Sequence, residues 1–514
     1  METTSRPIYS LMRAVVSERA NGVLTVWGNP SVHMSVQPDT ALSLWRLSSI
    51  LVRVSCLPHG VCVPVLLRLM RIEQEAIDEN AEGRAGLVAL ALLALLVGSV
   101  SGLIGAAFRR FLEHADRSRD LLIVWAHGGG LLGFLLVTAG CAVAVAAAAW
   151  LVRRFSPHAS GSGIPHVEAV LQGELPPAPF SLIPVKFFGG LIAIGAGLAL
   201  GREGPSVQMG ASAAHLAGRI FRCNWSDCRV LIAAGAGAGL ATAFNAPIAG
   251  AIFVLEELVR RFEHRIAIAA LGASATAIAV ARLLLGDAPD FQVQTLARPA
   301  PEAAPLYFLL GGVAGLMAVV YNRTLLATIA LADRLTAWPV ELRAGLIGAA
   351  VGALAWFAPD LVGGGDSISQ RTLVGAETLA LLPAIFLLRL GLGAVSYAAG
   401  TPGGLFAPML VLGAQLGLFL GLICRLAIPD LAIQPEGFAV VGMAAFFTGV
   451  VRAPLTGIVL VIEMTANVTM LLPMLAACFV AMLVPTLLGD PPLYNSLREL
   501  TLRRVNQPGS MSTR

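Results

Sequence analysis

The chain has 514 residues, a formal net charge of +4 and seven cysteines; 56% of its residues are hydrophobic and 13% are charged. Soluble globular domains carry about a quarter charged residues, so this composition excludes an ordinary soluble protein and indicates an integral membrane protein. The small net charge, without a basic block, excludes nucleic acid as an expected partner. The cysteines are scattered and odd in number, which argues against a disulfide framework.

The N-terminal region, residues 1–80, is more polar than the rest and lacks the basic, apolar and small-residue order of a signal peptide. We predict a tail followed by an amphipathic helix at residues 65–77, VLLRLMRIEQEAI, at the cytoplasmic membrane interface. An extension by an upstream start codon accounts equally well for about residues 1–40. The sequence stops shortly after Tyr494, so we expect a short tail at residues 503–514 and no soluble regulatory domain.

The membrane region, predicted at residues 81–502, contains seven runs without Asp, Glu, Lys or Arg. They approach or exceed the roughly 20 residues that a helix needs to cross a bilayer. The runs are residues 85–108, 121–152, 187–201, 230–255, 303–322, 390–424 and 464–489. An all-α polytopic bundle follows, because the alternating pattern of barrel strands is not present.

Glycine and proline interrupt these apolar runs at GSGIP, GREGP, FNAP, GTPGGLFAP and VRAP. The predicted transmembrane helices are therefore short, tilted or broken. In lipid, broken backbone is tolerated only where it is buried in protein or lines a polar cavity. These interruptions are where we expect the functional site.

A repeat relates the two halves of the membrane region, about residues 84–285 and 303–490. AAGAGAGLATAFNAPIAGAIFVLEEL aligns without a gap with VVGMAAFFTGVVRAPLTGIVLVIEMT, and GREGPSVQMGA similarly meets GTPGGLFAPMLVLGA. Glycine and alanine richness alone produces chance matches, but it does not readily place a glutamate nine residues after an aligned proline twice. Two inverted-topology halves with an ion pore at their interface are predicted.

GSGIP places Ser162 between Gly161 and Gly163, with Pro165 where the first turn of a helix is predicted. Glycines let backbone N–H groups approach a ligand closely, and a helix N-terminus carries about half a positive charge. The segment therefore fits an anion site to which the serine hydroxyl adds a donor. Taken alone, it fits an ordinary turn between helices equally well.

GREGP repeats this arrangement with Glu203 inside it. A carboxylate at a helix N-terminus is itself an anion bound by N–H groups, so Glu203 can occupy a site that a transported anion would otherwise fill. Protonation would release it. The structural alternative, a permanent ion pair with Arg202, is weakened because neighbouring helical residues point in different directions.

VLEEL places Glu256 and Glu257 after a long charge-free run. Adjacent helical residues are about 100° apart, so the two carboxylates are expected to have different roles. Glu256 aligns with Glu463 in the repeat, which favours a structural role, whereas Glu257 has no acidic counterpart. The arginines that follow indicate the cytoplasmic end: Arg260, Arg261 and Arg265.

GTPGGLFAP offers the backbone amides of Gly404, Leu405 and Phe406 at another helix start, and PPLYNSL offers the phenol of Tyr494. A tyrosine of the aromatic belt at the membrane surface is the other explanation of Tyr494. An intramembrane hydrolase or metalloenzyme is disfavoured because H-E-x-x-H and G-x-S-x-G are both missing. We predict no metal site, no cofactor and no enzymatic activity.

In this order, GSGIP, GREGP, AFNAPIAGAIFVLEE, GGLFAP, VIEMT and GDPPLY resemble the CLC family of chloride channels and chloride/proton antiporters over about residues 84–500. Each motif is weak alone, but the ordered set is specific. The resemblance implies a homodimer with one chloride pore per subunit, embedded in membrane lipid. The missing soluble domain pair of many eukaryotic members points to a multi-pass protein of a bacterial inner membrane.

By this resemblance, Ser162 and Tyr494 are the hydroxyl donors to a central chloride, and the amides of Leu405 and Phe406 complete the site. Glu203 resembles the gating glutamate that competes with chloride and carries the proton. The residues around it are also expected to contact chloride: Gly201, Arg202 and Gly204.

Glu257 resembles the internal proton-transfer glutamate of the antiporters, a position that channels usually fill with a non-acidic residue. Proton-coupled chloride antiport is therefore the expected function. A passive, voltage- or pH-gated chloride channel is the alternative, and it requires Glu257 to be idle.

Three further features bear on the resemblance. Residues 1–80 have no clear counterpart in the family. His166 stands where many bacterial relatives have an acid, and we expect an interfacial histidine at the inner mouth of the pore. Serine at position 162 resembles chloride rather than nitrate preference, and GREGP differs from the fluoride-type branch.

Overall fold

The structure is a computed structural model that describes residues 62–335 and 337–506, with side chains from residue 86 to residue 504 apart from residue 336. The predictions for residues 1–61 and 507–514 lie outside the described residues. The chain divides into two units, Met1–Arg84 and Ala85–Arg514, and the second contains the membrane region.

Within the described residues the fold is all-α, with 17 helices, of which seven are long and apolar enough to cross a membrane. The protein is therefore a multi-pass membrane protein. The first eight helices are α1 Cys62–His127, α2 Leu131–Phe155, α3 Ile164–Leu171, α4 Leu182–Gly195, α5 Glu203–Ile220, α6 Trp225–Phe244, α7 Pro247–Phe253 and α8 His264–Leu285. The remaining nine are α9 Ala304–Arg334, α10 Val340–Phe357, α11 Asp366–Leu373, α12 Leu382–Ala398, α13 Phe406–Ala427, α14 Pro435–Val451, α15 Pro454–Thr465, α16 Leu471–Leu487 and α17 Leu493–Asn506.

The order of long and short helices in α1–α8 returns in α9–α16. The short helices α3 and α11 each follow a left-handed glycine, Gly163 with φ 85° and Gly365 with φ 96°. Helices α6 and α14 each end at a left-handed residue that is not glycine, Asn245 and Arg452, and the next helix then begins at a proline. The repeat seen in the sequence is thus a repeat of helix ends as well as of apolar residues.

Two glutamates join the halves by reciprocal contacts. Glu256 accepts hydrogen bonds from the amides of Leu455 (3.0 Å) and Thr456 (2.7 Å), at the start of α15. Glu463 accepts them from Ile248 (3.1 Å) and Ala249 (2.8 Å), at the start of α7. Each set lies 207 residues from the other, as Pro454 lies from Pro247. Such an exchange of equivalent contacts is the mark of a two-fold relation between the halves.

The carboxylate of Glu256 satisfies backbone donors that a helix N-terminus otherwise leaves unpaired. We expect Glu256→Ala to lower the free energy of unfolding by about 2 kcal/mol, because the buried Thr456 amide and hydroxyl both lose their acceptor. The measurement is the midpoint of thermal unfolding in detergent.

The matched control is Glu499→Ala, which removes an acid that is 63% exposed and pairs with Arg503 one turn away. Its effect should stay within about 0.5 kcal/mol. Equal midpoints for the two variants would contradict the structural role of Glu256.

One predicted span is divided at a place where the sequence analysis predicted no break. The run at residues 121–152 belongs to two helices, because α1 continues to His127 and α2 begins only at Leu131. Three successive glycines form the turn, and Gly130 has φ 54°, which suits glycine and costs other residues strain. A count of uncharged residues does not detect such a turn, since glycine interrupts the helix without interrupting the apolar run.

Candidate functional site

Three of the five broken segments noted in the sequence, GSGIP, GREGP and GTPGGLFAP, meet at one buried point between the halves. Gly201 and Gly404 exchange backbone hydrogen bonds of 2.8 and 2.7 Å. The amide of Gly161 donates to Thr401 O at 3.0 Å, and Gly403 donates to Gly161 O at 3.1 Å. These short bridges fix the starts of α3, α5 and α13 against one another.

Glu203 is fully buried at this point. Its Oε1 accepts a 2.6 Å hydrogen bond from the amide of Phe406, the first residue of α13, and its Oε2 has no hydrogen-bond partner within the described part of the chain. A Cβ at Gly404 would lie 2.5 Å from the carboxyl carbon of Glu203, and one at Gly201 would lie 2.6 Å from it. Glycine at both positions therefore makes the room that the carboxylate occupies.

Two hydroxyl groups lie at the same point. Ser162 and Tyr494 are both fully buried, and neither hydroxyl has a hydrogen-bond partner among the described residues. A Cβ at Gly204 would lie 2.7 Å from Ser162 Oγ, and the ring of Tyr494 lies 5.7 Å from that of Phe406. Full burial also makes the aromatic-belt explanation of Tyr494 wrong. Buried hydroxyls normally have partners, so two unpaired donors beside helix amides fit an anion.

Two buried cations support the loops of this site, and the sequence reasoning missed both. Lys186 Nζ donates to Ala159 O (3.0 Å) and Gly161 O (2.7 Å). At the equivalent place in the second half, Arg389 donates to Gly363 O (2.9 Å) and to neighbouring carbonyls. The signal that could have found them is a single cation in an otherwise apolar helix. Each cation therefore ties the carbonyl oxygens of a turn to a transmembrane helix.

Tyr397 was also missed. Its hydroxyl accepts a hydrogen bond from the amide of Ser162 at 3.4 Å and lies where a side chain at Gly161 would be. Tyr397 thus holds the serine loop from the second half of the chain.

Two groups of the residues expected to contact an anion donate hydrogen bonds to acceptors of the protein instead. The amide of Gly201 donates to Gly404 O. The guanidinium of Arg202 donates to Ala243 O (2.8 Å), Asp366 (2.8 Å) and Asp290 (3.1 Å). Chloride contact by Gly201, Arg202 and Gly204 therefore stays a prediction, with the Gly201 amide and the Arg202 guanidinium already bound within the protein. A permanent ion pair between the side chains of Glu203 and Arg202 is a wrong alternative, since the guanidinium binds other acceptors.

Glu257 lies apart from this cluster, in a π-helical turn, Val254–Leu258, that follows α7. Glu257 is 3% exposed, and its carboxylate pairs with Arg260 at 3.3 Å. Arg260 also pairs with Glu168 (3.1 Å), which Arg498 contacts at 3.2 Å. Since Glu256 instead caps α15, the two adjacent glutamates do have different environments, as expected.

The ring of Phe406, whose amide binds Glu203, lies 5.8 Å from the ring of Phe253, four residues before Glu257. An aromatic contact therefore joins the start of α13 to the helix that precedes Glu257.

His166 differs from its prediction. It is only 6% exposed and its ring lies 5.0 Å from that of His158, so it is not an interfacial side chain. Within the described ranges, no cluster of three His, Cys, Asp or Glu residues could hold a metal ion.

A multi-pass helical protein with two related halves, and with helix N-termini meeting a buried acid between them, has the architecture of an ion channel or secondary transporter. The sequence profile described as "Voltage gated chloride channel" matches residues 142–486, and the chain belongs to this family.

Similar proteins support this assignment. The chain is 38% identical over 422 residues to the H(+)/Cl(-) exchange transporter ClcA of Yersinia pseudotuberculosis serotype IB, covering 81% of this chain and 88% of that one. For ClcA of Salmonella arizonae the values are 36% over 424 residues, 81% and 89%. A slow cyanobacterial Cl-/H+ antiporter of known structure matches with a TM-score of 0.78 and 33% identity, over 81% of this chain and 99% of that chain. A eukaryotic CLC transporter, at 22% identity and a TM-score of 0.70, shares the fold.

Proposed function

We propose that the protein exchanges chloride for protons across a membrane. The observation that carries the proposal is the Glu203 carboxylate at the amide of Phe406, next to the unpaired hydroxyls of Ser162 and Tyr494. An anion of the protein there occupies an amide donor, and unpaired hydroxyl donors lie beside it; a transported anion needs donors of this kind. The names of the similar exchange transporters support the same substrates for this chain.

The mechanism follows from the charge of Glu203. As a carboxylate, Glu203 occupies the amide at the start of α13 and excludes chloride from it. Once protonated, it no longer competes as an anion and can leave. Chloride then binds between Ser162, Tyr494 and the amides of Leu405 and Phe406. Chloride entry and proton loading are coupled because both require the same displacement of Glu203.

Glu257 is proposed as the proton acceptor on the other side. It lies at the arginine-rich end formed by Arg260, Arg261 and Arg265, which we assign to the cytoplasm. Burial of an acid at membrane depth is costly, so a functional role is the first hypothesis for an acid found there. We further propose a homodimer with one pore per subunit in a bacterial inner membrane, in line with the bacterial relatives.

The reversal potential across a pH gradient separates exchange from a passive channel. Purified protein in a planar bilayer, with equal chloride and unequal pH on the two sides, should give a reversal potential displaced from zero. A reversal potential that ignores the pH gradient would support the channel and contradict exchange.

Tyr494→Phe tests the chloride site. We expect the dissociation constant for chloride to rise by about tenfold or more, because one hydrogen bond to a charged ligand is lost without a change of shape. Isothermal titration of the detergent-solubilised protein measures it. Tyr307→Phe is the control, since Tyr307 is also buried but stacks on Phe438 in another part of the bundle. Unchanged chloride affinity in Tyr494→Phe would contradict this site.

A further inference from the structure

Asp290 binds two arginines at once. It lies in the segment between the halves, and its side chain is 3% exposed. It pairs with Arg109 of α1 at 2.7 Å and with Arg202 at 3.1 Å. The pattern of motifs did not single out this residue, and neither the anion site nor the proton acceptor described above contains it.

Arg202 is held on three sides. Its Nε donates to Ala243 O, one amino group donates to Asp290, and the other donates to Asp366, whose side chain is 56% exposed. Every nitrogen of the guanidinium therefore has an acceptor. Arg202 immediately precedes Glu203, so these contacts also fix the backbone from which Glu203 reaches Phe406.

Arg202 and Asp290 lie at the end of helix α6 opposite the arginine-rich end. Helix α6 has 20 residues, which corresponds to about 30 Å. At its start, Asp227 pairs with Arg265 of the arginine-rich end; at its other end, Ala243 accepts from Arg202. With the orientation proposed above, Arg202 and Asp290 lie at the external approach to Glu203.

Neutralisation of Arg202 matters because chloride must pass without being trapped. A guanidinium that is 14% exposed and has lost its buried partner would attract an anion more strongly than a fully solvated one. Asp290 is the buried member of the two carboxylates and the one shared with α1, so its charge is screened less by solvent than that of Asp366.

We propose that Asp290 is a positioning residue that keeps the guanidinium of Arg202 away from the ion path and its charge neutralised, and so sets the chloride affinity of the external face. The inference rests on the proposed chloride transport, but not on its coupling to protons. It assigns to the linker between the halves a role in the sidedness of transport.

The test measures chloride flux in liposomes with chloride varied on one side at a time. In Asp290→Asn, which keeps the shape of the side chain, the external half-saturating chloride concentration should fall about fivefold, as expected for one uncompensated charge near the path. The cytoplasmic half-saturating concentration should stay unchanged. Maximal flux should fall as well, because chloride leaves the external face more slowly.

Glu113→Gln is the matched control. Glu113 pairs with the same Arg109 at 3.2 Å but does not contact Arg202, so loss of its charge should leave both half-saturating concentrations unchanged. Asp366→Asn removes the exposed partner of Arg202 and should shift the external value in the same direction as Asp290→Asn, by a smaller factor.

A fall in maximal flux with an unchanged external half-saturating concentration would mean a merely structural role and would overturn the proposal. If Asp290→Asn fails to assemble, Asp366→Asn is the test variant. An external half-saturating chloride concentration equal to that of the unaltered protein would then overturn the proposal. The readout is chloride flux alone. If the protein moves chloride without protons, the proposed exchange is contradicted, but Asp290→Asn can still lower the external half-saturating chloride concentration. The two proposals therefore fail separately.

Discussion

Replacement of Glu203 by alanine is expected to preserve chloride flux and to reduce coupled proton flux to about one-hundredth or less, the usual scale for loss of a proton-transfer group. The Glu203 carboxylate is fully buried where α3, α5 and α13 begin, and its Oε1 occupies the Phe406 amide. Alanine vacates that donor and leaves no group to carry the proton. Parallel recordings of chloride and pH in liposomes measure both fluxes.

Glu499→Ala, at an exposed position, is the control for reconstitution and should behave as the unaltered protein. Glu203→Gln adds a second comparison, since glutamine keeps the size of the side chain but cannot release a proton. Proton flux that persists in both Glu203 variants would contradict the role of Glu203.

Glu257→Gln is expected to lower proton flux at least about tenfold while chloride binding stays unchanged. Glu257 has no contact with the chloride donors; its carboxylate pairs with Arg260. Glutamine keeps the volume of this buried side chain, so a general loss of folding is not expected. The measurements are proton flux in liposomes and chloride titration in detergent.

Glu174→Gln is the matched control for Glu257→Gln. Glu174 is an acid that contacts Arg498, which also pairs with Glu168, but its side chain is 36% exposed. Proton flux should be unaffected there. If Glu257→Gln retained proton flux within about twofold of the control, the role of Glu257 as the internal proton acceptor would be contradicted.

The repeat explains why one acid serves the site. GREGP and GGLFAP occupy corresponding positions in the two halves, and their glycines pair as Gly201 with Gly404. The first segment contributes the Glu203 carboxylate, and the second contributes the Phe406 amide that binds it. The two halves therefore share a backbone arrangement but supply opposite partners of one hydrogen bond.

The sequence predicted those parts of the site that depend on local signals. Glycines and prolines at GSGIP, GREGP and GGLFAP mark helix starts, and the matching of Glu256 with Glu463 indicated a structural pair, which the reciprocal caps confirm. These features are set by residues close in the chain. Glu203 could be recognised because an acid in an apolar run is rare.

Long-range contacts could not be predicted in this way. Lys186 and Asp290 find their partners only when the helices pack, and neither stands in a recognisable motif. For the same reason the sequence did not reveal the partners of the Arg202 guanidinium, which lie far away in the chain. His166 was expected at an interface because its neighbours in sequence do not reveal the packing that buries it.

The most direct test of proton-coupled exchange is simultaneous recording of chloride and protons from one preparation. Liposomes that contain the purified protein and are loaded with chloride are diluted into low chloride at equal pH, with a potassium ionophore to set the membrane potential. We predict that chloride efflux drives protons into the vesicles at a fixed ratio and so builds a pH gradient where none existed, and that Glu203→Ala abolishes only the proton uptake. Chloride efflux without proton uptake in the unaltered protein would contradict the exchange mechanism.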